Sequence, residues 1–321
     1  MPVASIVERS VVAPEVRDAL AEGRPVVALE STLISHGLPY PQNLDVAAAS
    51  EAAVRATPGA VPATVAVRDG RLLVGLDLGS LEALATAPAG SVRKASRPSL
   101  AAALAAGGWA ATTVSATMIA ASAAGITVFA TGGIGGVHRG ALDAAAGAAG
   151  ASLDISSDLE ELGRTAMAVV CAGPKAILDV PATLEYLETR GVPVITVGQP
   201  TVPGFFARSS GITSPAVAAD IPATAAIVAT HLGLGLGSSA LVCVPLPEAA
   251  AVPDDVARDA VDRAIRDATS AGIAGPALTP WLLARIAAVT DGRSVAANTA
   301  LIVHDARVAA QLAASLPMHR A

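Results

Sequence analysis

The sequence predicts an α/β protein whose sheet is mixed and mostly parallel. Short, continuous apolar runs such as residues 25–29 and 168–172 are typical of strands that helices cover on both faces. These runs alternate with longer segments of helical pattern. One Asp-Gly pair, Asp69-Gly70, stands between two apolar runs and predicts an antiparallel hairpin, which makes the sheet mixed.

The remaining elements follow from the same signals, taken in chain order. Strands are predicted at residues 25–29, 61–67, 72–74, 126–130, 168–172, 192–197 and 240–244. Helices are predicted at residues 14–20, 43–56, 80–86, 98–106, 113–124, 155–162, around 184–187, at 216–231 and over most of the chain from 254 onward. Loops are predicted at residues 34–41, with Asn43 as the cap of the next helix, at the basic residues 91–97, and at the Ala/Gly-rich residues 142–153.

Length and composition limit the class of protein. With 321 residues, no internal repeat and no linker-like segment, the chain is predicted to form one domain over residues 1–321. Hydrophobic residues make up 53% of the chain and aromatic residues only 2%, so small aliphatic side chains must form the core. A net charge of −6, without any run of basic residues, argues against a nucleic-acid polymer as partner.

The apolar character of the chain raises the question of a membrane segment. Residues 98–137 carry no charge, but glycines and hydroxyl residues interrupt them, so they are predicted to form buried helices and a strand. Cys171 and Cys243 each lie in an apolar run, which indicates reduced, buried thiols. The first residues lack the basic and apolar regions of an export signal. We therefore expect a soluble, cytoplasmic protein with no membrane partner.

Lysine is scarce in this chain. The 21 basic residues comprise two lysines, Lys94 and Lys175, and nineteen arginines. Arginine stays protonated and is a poor nucleophile, whereas a lysine that loses its proton can add to a sugar carbonyl and form an imine. The two lysines are therefore candidates for amine chemistry, and the alternative is chance survival at tolerant positions.

Polar side chains follow three of the predicted strands. Glu30 follows the first strand, a glycine-rich loop from Thr131 to Gly140 follows 126–130, and Lys175 follows 168–172. Because ligands bind at the carboxyl ends of parallel strands, these residues are expected to meet. A carboxyl group at such a place is either a general acid or base, or a structural acceptor of backbone N–H groups.

Two further patterns leave alternatives open. The glycine loop is either a tight turn or a cradle for an anion, with His138 nearby, and it matches neither the dinucleotide fingerprint nor a P-loop. Asp154 and Asp158 are four residues apart, which suits a divalent cation if one helix face carries both. The alternative is a helix cap followed by an acid that complements the helix dipole.

Five motifs together resemble the pseudouridine-5'-phosphate glycosidase family. They are Ala28-Leu-Glu-Ser-Thr-Leu-Ile-Ser-His-Gly37, Val61-Pro-Ala-Thr64, Ala130-Thr-Gly-Gly-Ile-Gly-Gly-Val-His-Arg-Gly140, Asp154-Ile-Ser-Ser-Asp-Leu159 and Cys171-Ala-Gly-Pro-Lys175. The resemblance covers nearly the whole chain. It implies a single-domain α/β/α sandwich, a homotrimer, a bound Mn²⁺, and reversible cleavage of pseudouridine 5'-phosphate to uracil and ribose 5-phosphate.

The resemblance also implies roles for particular residues. Glu30 matches the general acid, Lys175 the lysine that forms the imine, and Asp154 the metal ligand. Substrate-binding positions fall on Lys94, Val114, Ser156, Ser157 and Asp158, and further active-site positions on Thr131, His138 and Asn298. Two departures are a different order of small residues in 112–118 and the Ala/Gly segment 142–153, which lengthens the connection to Asp154.

Two other functions fit the same residues. An imine-forming sugar-phosphate aldolase needs the lysine but no uracil pocket, so release of uracil distinguishes it. A non-catalytic sugar-phosphate-binding module would bind ribose 5-phosphate without turnover, and Glu30 together with Lys175 argues against it.

Overall fold

A mixed sheet of eleven strands runs through residues 5–141, 154–273 and 278–317, the parts of the chain that the computed structural model describes. A separate pair, β8 and β10, is antiparallel. The strands are β1 (Ser10–Val12), β2 (Val26–Leu29), β3 (Val61–Arg68), β4 (Arg71–Val74), β5 (Arg93–Ala95), β6 (Trp109–Thr112), β7 (Val128–Ala130), β8 (Val137–His138), β9 (Ala168–Cys171), β10 (Leu178–Asp179), β11 (Val194–Val197), β12 (Ala216–Ala218) and β13 (Ala240–Cys243).

The strand order confirms the predicted mixed, mostly parallel sheet. Its main path is β1-β4-β3-β2-β7-β9-β13-β11-β12, with β6 paired to β3 and β5 paired to β6. The pairs from β3 through β2, β7, β9, β13 and β11 to β12 are all parallel. Only the β3–β4 and β3–β6 pairs of the described sheet are antiparallel.

Helices cover both faces of this sheet. They are α1 (Ile6–Arg9), α2 (Pro14–Ala21), α3 (Thr32–His36), α4 (Gln42–Arg55), α5 (Leu78–Ala85), α6 (Leu100–Ala105), α7 (Val114–Ala123), α8 (Ser157–Leu162), α9 (Val180–Thr189), α10 (Ile221–Gly233), α11 (Asp254–Ser270), α12 (Leu278–Val289) and α13 (Arg293–Ser315). Side chains of α2, α7, α8 and α9 pack with one face, and those of α4, α10 and α13 with the other. The α/β/α sandwich is therefore confirmed.

The core is built from small aliphatic side chains, as the composition predicts. Ala, Val, Leu and Ile make up most of the buried residues, and Phe129 of β7 is the largest fully buried side chain in the described part of the chain. Each fully buried Val or Leu contributes about 1.5–3 kcal/mol of hydrophobic free energy. Small side chains allow α7, which is buried over most of its length, to lie directly on the sheet.

The hairpin prediction is confirmed. β3 and β4 are antiparallel, and Arg68 pairs with Arg71 across the turn. Asp69 has φ 47° and Gly70 has φ 77°, and two positive φ angles in succession are typical of the two-residue turns that join twisted strands.

Several predicted elements were wrong, mostly where a strand has only three or four residues. The predicted helix at 216–231 begins later, as α10, and its first residues form the edge strand β12. Lys94 lies in β5 rather than in a loop, because this segment pairs with β6, which was not predicted. The first turn of the predicted loop 34–41 is the helix α3. The Ala/Gly segment 142–153 lies outside the described residues.

No helix in the described ranges combines the length and the apolarity that crossing a membrane requires. The uncharged residues 98–137 are divided among α6, β6, α7, β7 and β8. This division agrees with the prediction of buried helices and a strand, with β6 and the start of β8 as additional strands.

Asn43 connects three helices instead of capping one. It lies within α4, whose N-cap residue is Pro41, so the predicted cap was wrong. The Asn43 amide donates to the carbonyl oxygen of Ile34 at 2.7 Å and to that of Ala85 at 3.0 Å. Asn43 is only 3% exposed, so water does not replace these bonds.

Replacing Asn43 by Ala is expected to destabilise the protein by about 2–4 kcal/mol, because it leaves two buried carbonyl groups without a donor. Gln42→Ala, at the exposed neighbouring position, is the control and should change stability by less than about 0.5 kcal/mol. The free energy of unfolding in urea measures both effects. Equal stability of the two variants would contradict this account.

Candidate active site

Three neighbouring strands end at one edge of the sheet and bring the predicted catalytic residues together. β2, β7 and β9 are adjacent and parallel, and Glu30, Thr131 and Lys175 follow their carboxyl ends. The Thr131 hydroxyl donates a hydrogen bond to the Glu30 carboxylate. The charges of Lys175 and Lys94 both act on this carboxyl group, so the predicted convergence is confirmed for these residues.

The Glu30 carboxyl group has a raised pKa. Burial of the carboxyl is the largest cause, and the negative charge of Asp158 adds to it. The Lys175 charge, the Thr131 hydrogen bond and the Lys94 charge act in the opposite direction without cancelling the effect of burial. A carboxyl group that holds its proton to higher pH can act as a general acid near neutrality.

Lys175 is held by the turn that follows β9. Gly173 in this turn has φ 88°, a conformation that favours glycine. The Lys175 N–H donates to the Ile134 carbonyl at 3.1 Å, and the Ile134 N–H donates to the Gly173 carbonyl at 3.2 Å. These reciprocal bonds fix the backbone of the half-buried Lys175 to the glycine loop.

Lys94 approaches the same cluster from β5. It is exposed as a residue, but partial burial of its amine lowers its pKa, and the nearby Lys175 charge lowers it further. Glu30 and Asp158 oppose this shift. His36, at the end of α3, lies close enough to Lys94 that burial and the Lys94 charge together lower the imidazole pKa. A cavity of about 390 Å³, lined in part by His36 and Val92, lies on this side.

Asp158 joins three parts of the site. Its Oδ1 accepts the N–H of Ser115 at 3.1 Å, and its Oδ2 accepts the N–H of Gly135 at 3.0 Å. Asp158 is 6% exposed, so the two bonds tie α8 to the start of α7 and to the glycine loop. Each oxygen retains a second acceptor position, so a contact of Asp158 with substrate stays a prediction.

Residues at the starts of α7 and α8 surround this connection. The Ser156 N–H donates to the Gly136 carbonyl at 3.0 Å, and the Ser156 hydroxyl caps α8 by accepting the Asp158 N–H. The Ser157 and Ser115 hydroxyls lie 3.3 Å apart. Val114, the first residue of α7, is 1% exposed. Contacts of Val114, Ser156 and Ser157 with substrate stay predictions.

The glycine loop is a closely packed turn. A Cβ atom on Gly135 would lie 2.2 Å from the Ser156 hydroxyl oxygen, and one on Gly133 would lie 2.5 Å from the Phe205 ring. The N–H groups of Ile134, Gly135, Val137 and His138 donate to oxygens of the protein. Because these amides are engaged, the structure favours the tight turn over the anion cradle.

Asp154 and Asp158 do not share a helix face. α8 begins at Ser157, three residues after Asp154, so the helical pair of carboxylates was wrong. The Asp154 side chain is 43% exposed, and its Oδ2 lies 4.0 Å from Nδ1 of His138. No group of three or more His, Cys, Asp and Glu side chains within the described ranges could enclose a metal ion. A single exposed carboxylate fits a hard divalent cation that keeps most of its waters.

Asn298 lies on α13 at a half-buried position. It is one turn before Ile302, whose side chain lies against Gly132 and lines a small cavity together with Glu30. This places Asn298 at the edge of the cluster, and its contact with substrate stays a prediction.

Sequence reasoning missed two contributors to the site. Ser115 supplies an N–H group to Asp158, and its hydroxyl accepts the N–H of Arg97 at 3.1 Å. Arg97 in turn pairs with Glu161 of α8, which is 2% exposed. These contacts hold the segment after Lys94 against α7 and α8. A serine in a run of small residues gives no local signal of such a role.

Comparison with known proteins places this site in a family. A family model described as "Indigoidine synthase A like protein" matches residues 15–315. The chain belongs to this family. The resemblance identified from the five motifs is thereby confirmed, because the relatives of this chain include proteins named pseudouridine-5'-phosphate glycosidase.

The relatives match this chain over nearly its whole length. A pseudouridine-5'-phosphate glycosidase of Paracoccus denitrificans is 53% identical over 303 residues, covering 94% of this chain and 97% of its own. One from a Jannaschia species is 51% identical with the same coverage. The crystal structure of the prealnumycin C-glycosynthase AlnA in complex with ribulose 5-phosphate is 37% identical, with a TM-score of 0.86 and coverage of 96% of each chain.

Replacing Glu30 by Gln is expected to change how stability depends on pH. Because the pKa of Glu30 is raised, the folded protein keeps a proton that the unfolded chain releases above about pH 4.3. The stability from this proton is complete below that pH and falls as pH rises through the pKa of the folded state. The melting temperature of Glu30→Gln should therefore rise relative to the parent between about pH 4 and pH 8.

Calorimetry at both pH values measures this difference. Glu82→Gln, on the exposed side of α5, is the matched control and should follow the parent at each pH. A difference between Glu30→Gln and the parent that stays constant with pH would contradict the raised pKa.

Proposed function

We propose that this protein reversibly cleaves the C–C glycosidic bond of pseudouridine 5'-phosphate, giving uracil and ribose 5-phosphate. The observation that carries the proposal is that Glu30, a carboxyl whose pKa is raised by burial, lies within the electrostatic influence of Lys175 and Lys94. Glu30 and Lys175 follow the ends of β2 and β9, which flank β7, and Lys94 approaches from β5. The names of the relatives supply the substrate. AlnA, named a C-glycosynthase and bound to ribulose 5-phosphate, supports C-glycosidic chemistry on a pentose phosphate.

The bond to be broken explains the need for covalent catalysis. It joins C1' of the sugar to a carbon of uracil, so protonation of a leaving nitrogen is not available. We assign Glu30 to protonate the ring oxygen as the ribose ring opens, and Lys175 to form a C–N bond at C1'. The C1'–uracil bond then breaks, the uracil carbon takes up a proton, and the remaining imine is hydrolysed by water to ribose 5-phosphate and free Lys175.

Lys94 is assigned to the phosphate group. Lys94 is exposed as a residue whereas Lys175 is half-buried, and the Lys94 neighbours Val92 and His36 line a cavity of about 390 Å³. A phosphate dianion would favour the charged form of Lys94 and offset the effects that lower its pKa. The lowered pKa also makes Lys94 a competing nucleophile, so the assignment of the imine to Lys175 requires a direct test.

The alternatives are less well supported. An imine-forming aldolase would use the same lysine, but the relatives are named for glycosidic chemistry and AlnA for C-glycoside synthesis. A binding module without catalysis would gain nothing from a carboxyl group buried beside two lysines, because burial of Glu30 costs stability at neutral pH.

The proposed cofactor is one Mn²⁺ ion per subunit, held through Asp154. The exposed Asp154 carboxylate, with His138 beside it, fits an ion that keeps most of its waters. A bound ion there would supply positive charge to order oxygens of the phosphate or sugar. The polypeptide's own part is to hold Asp154 in place, through the His138 N–H that donates to its carbonyl oxygen at 3.0 Å.

The homotrimer and the cytoplasmic location also belong to the proposal. Apolar side chains are exposed near the edge strand β12, where Val217 is 50% exposed, and after α10, where Leu234 is 65% and Leu236 is 68% exposed. Covering such side chains in an assembly removes apolar surface from water. Cys171 and Cys243 are free and buried, which supports a reducing compartment.

Borohydride reduction in the presence of ribose 5-phosphate is expected to attach one pentose phosphate to Lys175, located by peptide mass spectrometry. Lys175→Arg should lose the adduct and lower kcat by at least about a thousandfold, because arginine keeps the charge but cannot form the imine. Lys94→Arg is the matched control, and should keep the adduct while raising KM roughly tenfold. An adduct on Lys94, or normal turnover by Lys175→Arg, would contradict the assignment.

Removing divalent cations with a chelator is expected to abolish most uracil release. Mn²⁺ should restore it in the parent and in Asp45→Asn, a change of an exposed carboxylate in α4, but only poorly in Asp154→Asn. Uracil release is followed by chromatography. Full activity in the presence of the chelator would rule out the proposed cofactor.

A further inference from the structure

A small cavity lies on the α4 side of Glu30. Its volume is about 10 Å³, and its walls include Glu30, Thr131, Thr64 and Ser50. This volume is close to the smallest that can hold one water molecule, and the walls offer that water several polar partners. Apolar side chains, among them Ile302, close the rest of the cavity.

Thr64 connects this cavity to a second carboxyl group. It lies on β3, paired with Leu29 of β2, the residue just before Glu30. Thr64 is 2% exposed, and its hydroxyl donates to Oε1 of Glu51 at 2.6 Å. Glu51 lies on α4 and is half-buried, and its carboxyl group faces Thr64 of β3.

The surroundings of Glu51 favour a bound proton. Burial is the largest cause of its raised pKa, and the charge of Glu15 adds to it. The Thr64 hydrogen bond and the charge of Arg55 act against this shift. Arg55 and Glu15 are themselves paired at an exposed position, which places Glu51 at the border between solvent and core.

We propose that Glu51 and Thr64 form a proton relay that connects the solvent on the α4 side to Glu30, through one water molecule in the cavity. This proposal rests on the role of Glu30 as general acid in the proposed function. In the observed bond the Thr64 hydroxyl donates to Glu51, so transfer begins when this hydroxyl turns toward the cavity water. Glu51 takes a proton from solvent and donates it to the Thr64 oxygen. The Thr64 hydroxyl proton passes to the water, and a proton of the water passes to the Glu30 carboxylate. The oxygens of Glu51, Thr64 and the water end with the number of protons they had before, the solvent has lost one proton, and Glu30 has gained it.

The position of the lysines explains why such a path is useful. In the proposed reaction the sugar phosphate lies between Glu30, Lys175 and Lys94, so substrate or product separates the carboxyl from water on that side. The relay reaches Glu30 from the α4 side and can restore its proton while a ligand is bound. The reverse reaction uses the same path to remove a proton.

A purely structural bond between α4 and β3 is the alternative, and conservative variants separate the two. Glu51→Gln keeps an oxygen that accepts the Thr64 hydrogen bond but cannot carry a proton. Thr64→Val removes the hydroxyl, and Thr64→Ser restores it. We expect kcat for uracil release to fall about tenfold in Glu51→Gln and Thr64→Val, with KM within about twofold of the parent. Thr64→Ser and the control Glu82→Gln should have parent activity.

Two further measurements distinguish proton transfer from stability. The double variant Glu51→Gln/Thr64→Val should lose no more activity than either single variant, because both block one path. Formate should restore at least half of the lost kcat in Glu51→Ala, where the shortened side chain leaves room for a small acid, and should not affect the parent.

The relay is overturned if Glu51→Gln keeps the kcat of the parent, if the losses of the two single variants multiply, or if formate restores nothing in Glu51→Ala. In each of these cases the parent still releases uracil, so the proposed function stands. Absence of uracil release by the parent, by contrast, overturns the proposed function itself.

Discussion

The site depends on one buried carboxylate, Asp158, and the two backbone N–H groups it accepts. Ser115 and Gly135 belong to segments that are distant in the chain, and without a common acceptor their amide groups would be buried without partners. A carboxylate that accepts two amides is held firmly in place, and hydrogen bonds to a charged acceptor are stronger than neutral ones. Asp158 therefore fixes the glycine loop relative to α7 and α8.

The same constraint explains the glycines. Gly135 donates to Asp158 from a position where any side chain would overlap Ser156, so only glycine lets the loop approach α8 this closely. The carbonyl of Ile134 in the same loop accepts the N–H of Lys175. Asp158 thus holds the glycine loop in place, and the loop in turn holds the backbone of the turn that carries Lys175. The glycines therefore serve to bring the loop backbone close to Asp158 and Lys175, and not to bind an anion.

The sequence predicted the parts of the site that follow long, buried strands. Glu30 and Lys175 come directly after apolar runs, and the parallel geometry of such strands places their ends together. It did not predict short strands such as β5, β6 and β12, because strands of three or four residues form by pairing with neighbours that are distant in the chain. The bonds of Asp158 join residues 43 and 23 positions apart, so no local pattern indicates them. Asn43 likewise has the composition of a helix cap, and only the packing of α3 and α5 shows its actual partners.

The structure also gives a reason for the two lysines among many arginines. Burial lowers the pKa of Lys94, and Lys175 lies close enough that its charge lowers this pKa further. Two guanidinium groups in the same place would both stay charged and would repel each other at any working pH. An amine releases its proton more readily than a guanidinium group, so a lysine tolerates a neighbouring positive charge at lower cost. A phosphate dianion next to Lys94 would favour its charged form and would offset the effects of burial and of Lys175 that lower its pKa.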